Sequence, residues 1–86
     1  MATPPISLSG GDGSSFAKAI VVKAPTDRAG VDAQHDYIAK YFGRWRSIGV
    51  KSVEHSKRFF DIMIFTTPNG KKHTLYFDIT DYYGKL

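Results

Sequence analysis

The sequence predicts an α+β fold, with one main helix packed on a three- to four-stranded, mainly antiparallel sheet in the order β-α-β-β-β. Three observations carry this reading. Apolar residues recur at helical spacing in one stretch only, from Val31 to Trp45. Short runs rich in β-branched and aromatic residues lie on both sides of it. Thr67-Pro68-Asn69-Gly70-Lys71 is a strong hairpin signal, because proline fixes one dihedral and glycine permits a positive φ.

Residues 1–15 contain two Pro, three Gly and four Ser, and read as a mobile tail, which leaves residues 16–86 as a single small domain. Residues 14–18 can form a helical turn capped by a serine hydroxyl. Residues 19–24 form a short β-branched strand that Pro25 ends, and its place in the sheet, edge or middle, is open. The helix is expected over residues 30–42. Val31, Ile38, Tyr41 and Trp45 make its apolar stripe and Tyr37 and Phe42 widen it, while Asp32, Gln34, His35, Asp36 and Lys40 fall mainly on the other side. Asp27 or Gly30 can cap its start and Gly43 can stop it. Residues 50–55, 59–66 and 72–79 then make an antiparallel meander.

Register decides what faces the core. A two-residue Asn-Gly turn pairs Ile64 with Leu75, Ile62 with Phe77 and Phe60 with Ile79, giving one continuous apolar face but setting Asp61 opposite Asp78. A three-residue Pro-Asn-Gly turn instead pairs Met63 with Leu75 and Phe65 with His73, flipping one strand relative to the other. The apolar match makes the first pairing the expected one.

Composition excludes several function classes. The chain has 86 residues, of which 42% are apolar and none is Cys, so thiolate chemistry and a disulfide framework are ruled out. No apolar run approaches the ~20 residues a membrane-spanning helix needs. No signal-like basic and apolar regions open the sequence, so a cytoplasmic protein is expected; a secreted or periplasmic chain whose signal has been removed would read the same way. At this size, about 60% of the unfolded surface can be buried, so the twelve aromatic residues must supply much of the packing.

Metal and phosphate sites find little support. Gly10-Gly11-Asp12-Gly13-Ser14-Ser15 is glycine-rich, but the lysine of a phosphate loop is missing and no strand precedes it, so it reads as a flexible connection. His35, His55 and His73 are dispersed and lack ligand spacing. No metal, cofactor or catalytic residue is therefore expected. Asp61 and Asp78 are the one pair with acid–base potential: facing each other, they would raise one pKa or hold a cation such as Arg44, Arg46 or Lys51 between them.

Charge is uneven. Residues 40–58 carry six basic residues and one acidic, a net of +5 out of a total of +4 for the chain. Trp45 sits inside this segment, in Arg44-Trp45-Arg46. Arg and Trp together suit a protein interface, and equally a phosphate held beside a stacked base; buried, Trp45 would simply extend the helix stripe. Tyr82 and Tyr83, on a turn that Thr80 can cap, either close one edge of the core or add to a contact surface.

Gly11-Asp12-Gly13-Ser14-Ser15-Phe16 ahead of Ala19-Ile20-Val21-Val22, Gly30-Val31 at the helix start, and Tyr76-Phe77-Asp78-Ile79-Thr80 leading to Tyr83-Gly84-Lys85 together resemble a family of small uncharacterised bacterial proteins. The resemblance implies no activity and transfers no site residue. The function expected is a non-catalytic binding module that contacts another protein or its own copy through Arg44, Trp45, Arg46, Lys51, Tyr82 and Tyr83. The alternatives are nucleic-acid binding by segment 40–58 and a small enzyme using Asp61 and Asp78.

Overall fold

The computed structural model describes residues 6–85. Five strands form one mixed sheet in the spatial order β1-β2-β5-β4-β3, where β1 is Ser7–Gly10, β2 Ile20–Lys23, β3 Arg46–His55, β4 Arg58–Thr66 and β5 Lys72–Asp78. Among the described residues a single helix, α1 (Asp27–Phe42), packs on one face. The α+β class and the meander β3-β4-β5 agree with the sequence reading. The strand count does not, because Ser7–Gly10 pairs antiparallel with β2 instead of lying in a tail. Nor is every pairing antiparallel, since β2 runs parallel to β5 through Ile20↔Phe77 and Val21↔Asp78.

That parallel pairing follows from the crossover. β3 is antiparallel to β4, and β4 to β5, so β2 and β3 run the same way. A chain leaving β2 can reach such a partner only by a long connection, and α1 is that connection. It carries the chain across β5 and β4 to the far edge.

The helix begins three residues earlier than the spacing predicts. Thr26, not Asp27 or Gly30, is the N-cap, with its Oγ1 accepting from Ala29 N at 3.2 Å. Gly43 ends it at φ +74, its N–H donating to Ala39 O. The buried stripe is Gly30, Ala33, Gln34 and Ile38, with Tyr37 and Phe42 packed beside it. Gln34 therefore lies in the core and not on the polar side, whereas Tyr41 is exposed. A glutamine can be buried there because its amide finds partners, described below.

The sheet takes the three-residue-turn register: Met63 pairs with Leu75, Phe65 with His73 and Asp61 with Phe77. The expected Asn-Gly register is thus one residue out. Thr67 N donates to Lys71 O and Gly70 N to Thr67 O, closing the turn that Pro68-Asn69-Gly70 favours. Met63, Phe65, Leu75 and Phe77 now share the helix face with Ile20 and Val22, and form the core with Ile38, Ile79 and Tyr82.

The glycine-rich connection between β1 and β2 is built, not loose. Asp12 Oδ1 accepts from Ser14 N, Gly13 N donates to Lys18 O, and Gly13 O accepts from Tyr76 N at 2.8 Å, extending the edge of β5. Gly13 sits at φ +83, and a side chain there would press on Ile20 and Leu75. At the other end, the turn after β5 is lashed to the start of the helix: Asp27 N donates to Lys85 O, and Ala24 N to Asp81 Oδ2. Thr80 does not cap this turn. Its N–H and hydroxyl both donate to Asp78 Oδ1, which does the capping, and its Oγ1 accepts from Phe59 N.

Candidate functional site

The register distributes the candidate residues over two surfaces. Asp61 points to the helix side and Asp78 to the other, because they are successive odd and even positions of a ladder whose partners are Phe77 and Phe60. The carboxylate pair on which acid–base chemistry would rest is therefore not assembled. Asp78 is instead held by Arg58, whose Nε donates to Oδ2 at 2.6 Å, and by Thr80. Burial pushes its carboxyl up, and the bonds from Arg58 and Thr80 outweigh this and leave it below the usual value.

The face of the sheet opposite α1 follows from the ladders. Arg46, Gly49, Lys51 and Val53 of β3 lie beside Thr66, Ile64, Ile62 and Phe60 of β4, and these beside Lys72, Thr74, Tyr76 and Asp78 of β5. Val21 and Lys23 of β2 continue it. Phe16 covers one end, stacked on His55 at 4.0 Å and edge-on to Phe60 and Tyr76. The remainder carries Ile62, Ile64 and Tyr76, partly exposed, among the exposed cations Lys23, Arg46, Lys51 and Lys72. Among the described residues the one ion pair is Arg58–Asp78, so these four cations have no carboxylate partner.

The six residues expected to form a binding surface separate accordingly. Arg46 and Lys51 share the open face. Arg44 is exposed and lines a shallow cleft with Trp45, Arg46 and the β4–β5 turn. Trp45 is half-buried, edge-on to Phe65 at 5.9 Å and tilted against His35 at 5.1 Å. Tyr82 is fully buried in the core, so it belongs to no surface. Tyr83 is exposed but stacks on Phe59 at 3.9 Å, on the helix side and about 23 Å along β4 from the Arg46 end.

The helix side holds a polar network absent from the sequence reading. Gln34 Nε2 donates to Asp61 Oδ2 at 2.9 Å and to Tyr82 Oη at 2.6 Å, while Ser52 Oγ donates to Asp61 Oδ1 at 2.6 Å. Burial, together with the Asp61 charge, pushes the Tyr82 hydroxyl far above its ordinary value, against the opposing bond from Gln34. The network floors a cleft of about 380 Å³ between α1 and β3, walled by Asp27, Val31, His35, Trp45, Val50 and Met63. Only the pairing of Ser52 with Asp61 could signal it, and that pairing needs the β3–β4 register.

No group of three or more His, Asp or Glu side chains is placed to hold a metal ion among the described residues. No helix among the described residues is long and apolar enough to cross a membrane. Searches against family models, curated proteins and solved structures each find no match for this chain.

Proposed function

We propose that this protein is a non-catalytic binding module that docks an acidic, partly apolar protein surface on the open face of its sheet. One observation carries the reading: β4 is apolar on both faces in a sheet that is covered on one. Met63 and Phe65 face α1, while Ile62 and Ile64 face solvent. Two-layer folds ordinarily alternate apolar-in and polar-out, and a solvent-side apolar row is a contact surface in waiting. The four unpaired cations around that row select for acidic partners and speed their approach.

Nucleic acid fits less well. Stacking platforms need free rings, and here Tyr76 lies under the edge of Phe16 while its neighbours are isoleucines.

Amide-shift mapping by NMR tests the reading, with an acidic, leucine-containing peptide in one arm and a single-stranded oligonucleotide in the other. Peptide shifts confined to Arg46, Lys51, Ile62, Ile64, Lys72 and Tyr76, and abolished in Lys51→Glu/Lys72→Glu, are expected. Oligonucleotide binding that falls steeply with salt, with no peptide response, replaces the proposal by nucleic-acid recognition. No response at low salt in either arm overturns both.

A further inference from the structure

We infer that the cleft between α1 and β3 is a second, independent site, which binds a small organic cation through a primary ammonium or guanidinium group held by Asp61. Asp61 is 7% exposed, and no lysine or arginine pairs with it among the described residues. Its two neighbours supply neutral bonds only: Ser52 to Oδ1 and Gln34 to Oδ2. An ionised carboxylate offers about four acceptor positions, so roughly two remain after these bonds. A buried anion without a counter-charge is an unbalanced arrangement, and a bound cation balances it.

The rest of the cleft suits the same ligand. It holds about 380 Å³, at the small end of the range for ligand pockets, and no Lys or Arg lines it. Asp27 adds a second negative charge at its rim, and Ser47 and Ser52 add hydroxyls. Trp45 offers the indole, the best aromatic surface for a cation. Val31, Val50 and Met63 would cover an attached hydrocarbon. The cleft persists because α1 lies over the middle of the sheet and leaves β3 uncovered, with Val50 55% exposed although it faces the helix side.

Trp45 is the only tryptophan, so its fluorescence reports on this cleft directly. Butylammonium and methylguanidinium are titrated against butanol and methylurea, which match them in shape without the charge. A saturable fluorescence change with the cations and none with the neutral molecules is expected. In Asp61→Asn, which retains a side-chain oxygen for the Ser52 hydroxyl, affinity should fall about tenfold or more. Should that variant fail to fold, His35→Arg serves instead. It lies at an exposed helix position, places a resident cation in the cleft and should abolish binding. A glycine-flanked arginine peptide, run beside the free amines, identifies the source: tighter binding by the peptide marks a partner's side chain as the ligand, and tighter binding by the free amines marks a small molecule. Equal responses to charged and neutral probes, no saturable change, or unchanged affinity in Asp61→Asn or His35→Arg overturns the inference.

Discussion

Gly30 lies directly beneath the ring of Tyr82, so close that a Cβ at Gly30 would collide with Cε2 and Cζ of that ring. The helix and the C-terminal turn approach each other through this missing side chain. Gly30→Ala should therefore destabilise the domain by about 1–3 kcal/mol through overpacking, even though alanine is the better helix former by roughly 1 kcal/mol. Urea unfolding checks this: the midpoint should fall with the slope unchanged.

Arg58 and Asp78 make stability pH-dependent at the acid end. Asp78 titrates below its ordinary value in the folded chain and near ~3.9 when unfolded. Its contribution is thus complete above the unfolded pKa and lost as pH falls through the lower folded one. Arg58→Ala should unfold at lower urea concentration than the wild type at neutral pH. The gap should close as the pH is lowered through that acid range.

The β3–β4 turn is strained. Ser56 and Lys57 connect His55 to Arg58 with φ of 51 and 65, the left-handed region on both central residues. Such a two-residue turn prefers Asn-Gly, and neither serine nor lysine relieves the steric cost. Lys57→Gly should stabilise the domain by about 0.5–1 kcal/mol after the greater unfolded-state freedom of glycine is counted. A rise in thermal midpoint would show it, and a fall would contradict the turn geometry.

Tyr82 should keep its proton well above the pH at which a free tyrosine gives it up. Its burial raises the folded pKa far above the ordinary ~10, whereas the unfolded chain ionises near that value. The folded state then holds the proton that the unfolded state gives up, so stability is intact below pH ~10 and declines above it. Ultraviolet absorbance titration should show one tyrosine transition appearing only with alkaline unfolding. In Tyr82→Phe that delayed transition should vanish.

The sequence by itself determined the local elements of this protein. Helical spacing from Val31 to Phe42, β-branched runs around Val21 and Ile62, and Pro68-Asn69-Gly70 each act over a few residues, so each is readable from neighbours alone. The uneven charge was legible too, although only part of segment 40–58 reaches the open face. What the tertiary structure decided was every relation across the chain. Strand alternation has period two, so a one-residue choice of turn moves Asp61 to the helix side, away from Asp78, and turns Ile62 and Ile64 toward solvent. Ser7–Gly10 is too polar to announce a strand, and becomes one because β2 offers it an unpaired edge. Gln34 looks like a surface residue until Asp61 and Tyr82, 27 and 48 residues away, satisfy its amide in the core. Both proposed sites arise in this way, since hydrogen-bond partners and shared faces are properties of the folded ladder and not of adjacent residues.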